Sequence, residues 1–192
     1  GIPAPPKGVV LPEFRPDIHI DESVQYIPGE DIYLWYDPGY SHPCALEVAH
    51  IVDNQVRVFD EIYHDKLLVE EVIDLAIGRE WWPNSIKHGV IDIAGTYHAG
   101  QQAAASQVWL SKVGIAMASE KVKINEGTEL MRQMLKPSPI TGVSRIKWNP
   151  RCKGVLSELG AYPNPISGMT QIYKWKLGKE GRILAEETAE VR

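Results

Sequence analysis

An α/β protein built on one mixed sheet is what this sequence predicts. Three strand-like runs rich in β-branched, aromatic and aliphatic residues lie close together between residues 32 and 59. The apolar period then lengthens to that of a helix, and shorter strand and helix signals alternate to the end of the chain. That succession describes an antiparallel meander continued by parallel strands, with helices flanking the sheet.

The segment up to Glu30 is proline-rich and has no sustained periodicity. It reads as an extended lead-in with one short strand at Asp17 to Ile20, more like a linker than an independent element. Ile32-Tyr-Leu-Trp-Tyr36 is the first strong strand, ending at the turn signal Asp37-Pro38-Gly39. Ala45 to Val52 is the second, and Asp53-Asn54 is a two-residue hairpin turn into Gln55-Val-Arg-Val-Phe59. Leu67, Leu68, Val72, Ile73, Leu75 and Ala76 then fall at helical spacing, with Gly78 as the stop. Past the loop Trp81-Trp-Pro-Asn84, the run Gly89-Val-Ile-Asp-Ile-Ala94 is a short apolar strand carrying one acid. A helix between two strands makes a crossover, which sets this strand parallel to and beside an earlier one.

Gly100 to Val113 predicts a helix, Gly114 to Ala118 a fifth strand, and Thr128 to Leu135 a helix capped by Thr128. Ser144 to Trp148 alternates as a strand, Cys152 to Leu159 is a short helix, and Ile172 to Lys176 alternates again. A ribonuclease-H-like order is the leading arrangement for this series. Flavodoxin-like and other doubly wound folds are its rivals.

At 192 residues the chain suits one domain with a substantial core, and 44% hydrophobic and 23% charged residues are ordinary for a globular protein. No apolar run is long enough to cross a bilayer, and Gly1-Ile-Pro-Ala-Pro-Pro6 lacks the layout of a secretory signal. Cys44 and Cys152 are far apart in sequence, which argues against a disulfide framework or a zinc cluster and for a reducing compartment. No GxxxxGK[ST] or GxGxxG occurs, so ATPase and dinucleotide chemistry have no support. The net charge of −5 is unevenly spread. Residues 1–100 hold six basic and seventeen acidic residues, whereas 101–192 hold fourteen and eight. A basic half can attract a polyanion and an acidic half can hold a cation, although two unlike solvated faces give the same count.

Two acids could carry chemistry. Asp37 ends a strand just before Pro-Gly, a position that also simply starts turns. Asp92 sits in an otherwise apolar strand, where a charge is unfavourable unless paired or metal-bound. If the two strands are parallel neighbours, both carboxylates emerge at one sheet edge and repel each other unless a cation lies between them. Magnesium or manganese suits such oxygen donors, and a two-ion site can hydrolyse a phosphodiester. Glu61, Glu70 and Glu71 read as solvated charges, His98 as a loop histidine and Cys152 as core packing.

These residues resemble a known family, the nuclease domain of tailed-bacteriophage terminase large subunits. Val9-Val-Leu-Pro-Glu-Phe14 with His19 is similar to the segment leading into that domain. Trp35-Tyr-Asp-Pro-Gly39 with Pro43 and Ala45 resembles its first metal motif, and Ile91-Asp-Ile-Ala-Gly95 its second, followed by a Gln- and Ser-containing helix and Gly114-Ile115. The spacing between the acids, 92 − 37 = 55 residues, suits an intervening hairpin and helix. Ile172-Tyr-Lys-Trp175 with Gly181-Arg-Ile183 is similar to the closing strand region.

The resemblance implies a divalent-metal-dependent endonuclease, with Asp37 and Asp92 as catalytic metal ligands, that cuts concatemeric viral DNA during genome packaging. It implies residues 1–30 as a lead-in from an ATPase domain and residues 31–192 as a ribonuclease-H-like nuclease domain lacking its final helix. The family's third ligand then lies beyond Arg192, with Glu186, Glu187 and Glu190 as weak substitutes. Implied partners are double-stranded DNA and, in the full motor, the portal and the small terminase subunit, in the cytoplasm of an infected bacterial host. Lys121, Lys123, Arg145, Lys147, Arg151 and Lys153 are the candidate phosphate contacts, to be weighed against ordinary solvated side chains. The other readings are a junction resolvase, a hybrid-cleaving nuclease of the same fold, or a non-catalytic docking domain of a packaging motor.

Overall fold

A computed structural model of the chain describes residues 10–39, 42–83, 86–92, 103–119, 122–163, 165–168, 171–177 and 183–190. Strands β1 (Ile32–Asp37), β2 (Cys44–Val52) and β3 (Gln55–His64) form the antiparallel meander. Its hairpin turns at Asp53 and Asn54, with φ of 50° and 61°. Two successive positive values match the right-handed twist of the strands they join. Helix α2 (Val69–Ile77) then crosses over to β4 (Ile86–Ile91), which pairs with β1 in parallel, as the sequence predicts. Helix α3 (Ala105–Val113) leads to β5 (Met117–Ala118), parallel to β4. Helix α4 (Ile124–Leu135) leads to β6 (Ile146–Trp148), parallel to β3, and α5 (Lys153–Glu158) follows. The six strands lie in the order β5-β4-β1-β2-β3-β6, and β7 (Gln171–Leu177) and β8 (Ile183–Glu190) pair as a separate antiparallel ribbon.

Strand alternation makes two cores, one on each face of the sheet. Ile32, Leu34, Tyr36, Leu46, Val48 and Ile62 face Val72, Ile73 and Ala76 of α2 and Val108 and Trp109 of α3. On the other face, Ala49, Val58, Ile146 and Trp148 meet Leu135 of α4 and Leu156 of α5, with Leu11, Phe14 and Ile20 packed at their margin. Each large side chain buried this way contributes roughly 1.5–3 kcal/mol, so the three layers are held from both faces. Cys44 and Cys152 are free thiols, one in each core.

Several elements differ from the sequence expectation: β3 runs past Phe59 to His64, which places Glu61 on the strand, and β8 is a strand where the sequence pattern assigns none. Residues Pro16–His19, expected as strand, form a one-turn helix, α1. Proline at its start pre-sets the helical φ, and the fully buried His19 ring anchors the turn to the end of α4, a long-range contact that local pattern does not reveal. Only Ile20 makes a strand-like bridge, parallel to Trp148. Helix α4 begins at Ile124 after Lys123, so Thr128 lies inside it and is not its cap. Gly127, which locally weakens a helix, is carried within it. The start expected for α3 at Gly100 falls outside the described residues.

A candidate carboxylate site at the strand tips

Asp37 is the last residue of β1, and Asp92 directly follows β4. The parallel register pairs Tyr36 with Ile91, and the Asp92 N–H donates to the Tyr36 carbonyl at 3.0 Å. Carrying that register on by one residue sets Asp92 beside Asp37, on strands about 4.8 Å apart. Alternation puts both side chains on the face shared by Trp35 and Val90, whose positions pair in the ladder. The Asp37 carboxyl lies above the usual carboxylate range, first through desolvation at the strand tip and then through the charge of Asp92.

The turn after Asp37 has little room. A Cβ on Gly39 would lie 2.6 Å from the carbonyl oxygen of His42 and 2.8 Å from that of Pro43. Only glycine allows the returning chain to come this close, and the close return fixes the direction in which β1 delivers Asp37. Behind the site Tyr36 is buried, and its phenol is pushed upward by desolvation first and by Cys44 and Asp37 after it.

Among the described residues no group of three His, Cys, Asp or Glu side chains gathers where a metal could sit. The donor set there is two carboxylates, whose hard oxygen atoms and mutual repulsion fit a divalent cation such as magnesium. Glu186, Glu187 and Glu190 lie on β8, whose hydrogen-bonded neighbour is β7 and not a strand of the main sheet. His98 lies outside the described residues.

The structure corrects the reading of a second acid pair. Glu61 is not a solvated charge. It pairs directly across the ladder from Glu47, and its carboxylate accepts the N–H groups of Gly154 and Val155 at 2.8 and 2.7 Å. It thus caps α5 from a strand 93 and 94 residues away. Burial, more than the neighbouring acids Glu158 and Asp60, raises Glu61 to about 7. Glu47 is raised well above its ordinary value by burial and then by Glu61 and Glu158. Of the other acids read as solvated, Glu71 accepts the Leu68 N–H at 2.7 Å and so closes the start of α2, while Glu70 is exposed.

The basic candidates are scattered. Lys121 is outside the described residues, and Lys123 precedes α4 and pairs with Glu126 at 3.2 Å. Lys147 is tied to Asp21 at 2.7 Å, a contact that draws the Asp21 carboxyl down to about 2. Arg151 reaches Gln25 at 3.4 Å. Arg145 and Lys153 are exposed beside β6 and at the start of α5.

This arrangement is that of a ribonuclease-H-like sheet, and solved structures of similar fold include terminase large subunits and their nuclease domains. The large terminase of a thermophilic bacteriophage superposes with a TM-score of 0.66 at 17% identity, covering 95% of this chain and 41% of that one. The P22 large terminase nuclease domain gives 0.61 at 12%, covering 93% and 84%. The large terminase nuclease of thermophilic phage G20c with bound magnesium gives 0.53 at 14%, covering 98% and 90%. The chain therefore spans about two-fifths of the first of these proteins and most of each isolated nuclease domain. No protein-family model matches the chain, and no curated protein matches it. At these identities the likeness is one of fold.

Proposed function

We propose that this chain is the nuclease domain of a DNA-packaging terminase, a metal-dependent endodeoxyribonuclease that cuts concatemeric viral DNA. The observation that carries the reading is the meeting of Asp37 and Asp92 at the tips of adjacent parallel strands, in a fold shared with terminase nuclease domains. The G20c nuclease of that fold binds magnesium, which supports Mg2+ or Mn2+ as the ion here. Asp37 and Asp92 would hold such ions, and a two-ion site there would supply the Lewis-acid chemistry of phosphodiester hydrolysis.

The chain's own residues have three tasks in this reading. Asp37 and Asp92 hold the negative charge that draws the ion. Gly39 and the β1–β4 ladder keep the two carboxylates side by side. Arg145, Arg151 and Lys153, with Lys121, Lys123 and Lys147 in support, bring the duplex to the sheet through its phosphates. Within this chain Glu186, Glu187 and Glu190 are the candidates for a third ligand. The partners are double-stranded DNA and, in a complete motor, the portal and the small terminase subunit, in the cytoplasm of the infected host. No helix among the described residues is long and apolar enough to cross a membrane.

The test is a plasmid-nicking assay with manganese on the wild type and on D37N and D92N, with calorimetric titration of Mn2+ alongside. The expected result is nicking and Mn2+ uptake by the wild type and loss of both in each variant. Undiminished nicking by both variants would remove the aspartates from the mechanism. Absence of both nicking and Mn2+ binding in the wild type would favour a docking role.

A further inference from the structure

Two buried histidines hold the segment before β1 against the sheet, and their hydrogen bonds differ in one decisive way. Both rings are fully excluded from solvent. The Nε2 of His50, on β2, lies 3.0 Å from the Ile27 N–H, which can only donate, so Nε2 accepts. The proton therefore sits on Nδ1, which donates to the Asp31 carbonyl at 2.9 Å. His19 Nε2 faces the Leu135 carbonyl at 2.8 Å and must donate. Its Nδ1 lies 2.9 Å from both the N–H and the carbonyl oxygen of Arg15. The neutral ring accepts from that N–H; a protonated ring loses that bond, as His50 would lose Ile27, but can donate to the Arg15 carbonyl in its place.

We propose that His50 is an acid-operated latch on the 26–31 turn that feeds β1, while His19 pins α1 in either protonation state. A proton on His50 Nε2 abolishes the only acceptor offered to Ile27 among the described residues and sets two donors face to face. The ring itself is held. It stacks on Phe59 with centroids 4.4 Å apart and on Tyr26 at 5.8 Å, and aromatic faces tolerate a cation between them. The part that yields is the turn.

The charged groups around His50 come from three elements, and the positive one among them works against protonation of the ring. Asp31, whose carbonyl it bonds, has its carboxylate engaged by Lys87 of β4 at 3.5 Å. Arg57 is the cross-strand partner of His50 on β3 and adds positive charge, its guanidinium donating to Gln55. Tyr26 brings a phenol and Phe59 no charge. Around His19 the groups are Phe14, stacked at 5.5 Å, Arg15 and the exposed Asp17, together with the C-terminal carbonyl end of α4, which favours a cation. Acid thus frees one end of the segment and leaves the other docked, where the Asp21 N–H donates to the Trp148 carbonyl at 2.9 Å.

The test is amide hydrogen exchange by NMR on the whole chain from pH 7.5 to 5, with ring 15N shifts reporting the protonation of each histidine. The expected result is a loss of Ile27 protection of tenfold or more that tracks His50 protonation, with Asp21 protection unchanged. In H50Q, Ile27 protection should not vary with pH; if that variant does not fold, the wild-type ring shifts and amide rates decide alone. A His50 ring that stays neutral until the protein unfolds overturns the proposal. So does protonation without loss of Ile27 protection, or simultaneous release of the Asp21 amide.

Discussion

Two carboxylate pairs share one face of the sheet and behave in opposite ways. Asp37 and Asp92 stand at the ends of β1 and β4, next to each other in a parallel ladder. Glu47 and Glu61 stand inside the antiparallel ladder of β2 and β3, directly opposite each other. Both pairs place like charges on neighbouring strands, and Asp37, Glu47 and Glu61 all hold protons more tightly than free carboxyls do. The difference lies in what surrounds them. The inner pair has been absorbed into the fold, because Glu61 accepts the two N–H groups that open α5. The outer pair sits on exposed strand ends, open to a ligand from solvent. Repulsion between acids therefore does not by itself mark a functional site. The distinguishing feature is whether the acids are enclosed within the ladder against helix N–H donors or stand at solvent-exposed strand ends.

That contrast can be broken by mutation. The largest effect is expected at the outer pair, where D37N should lower manganese-dependent cleavage more than ~100-fold, beyond the loss typical of an outer-shell partner. In the metal-free protein the same change should raise the melting temperature, since it removes a charge whose ionisation the fold disfavours. At the inner pair, E61A should destabilise by about 2 kcal/mol in urea unfolding, because the Gly154 and Val155 N–H groups lose their acceptor. Its Mn2+ affinity should stay unchanged. E47Q should stabilise by up to ~1 kcal/mol, the scale of relieving like charges directly across a ladder. This gain depends on pH in a definite direction. Glu61 and Glu47 both have folded-state values above their ordinary 4.5, so the native state holds more protons than the unfolded chain and stability falls as pH rises from about 4.5 through 7. The advantage of E47Q should accordingly be small at pH 4 and larger at pH 8 in thermal melts.

The smallest effect is expected at Lys147. K147M should cost about 0.5–1 kcal/mol near neutral pH, as for a partly exposed ion pair. Asp21 has a lowered folded-state value, so this contribution is present above its ordinary 3.8 and is lost as pH falls through about 2. Equal melting temperatures of K147M and wild type at pH 7 would count against the bridge as a clasp on the segment before β1.

Much of the fold is legible in the sequence because its signals are local. Alternation in Ile32 to Tyr36, the left-handed turn at Asp53-Asn54 and the helical spacing from Leu67 to Ala76 each depend on nearby residues. The α1 turn is not legible, since what holds it is His19 reaching Leu135 across 116 residues. The site is legible only in part. Asp92 stands out as one acid in an apolar strand, but Glu47 in Ala45-Leu-Glu-Val-Ala49 carries the same signal, so the signal alone does not separate them. Glu61 reads as solvated because its partners come from α5, far along the chain.

The order of elements, the antiparallel start and the crossover that makes β4 a parallel neighbour follow from period, turn chemistry and chain handedness, all of which reside in short stretches of sequence. The fate of each acid does not. Whether a carboxylate meets a helix N-terminus, a lysine or open solvent depends on register and on helices distant in the chain. Only the packed tertiary structure decides which negative charges are answered from within.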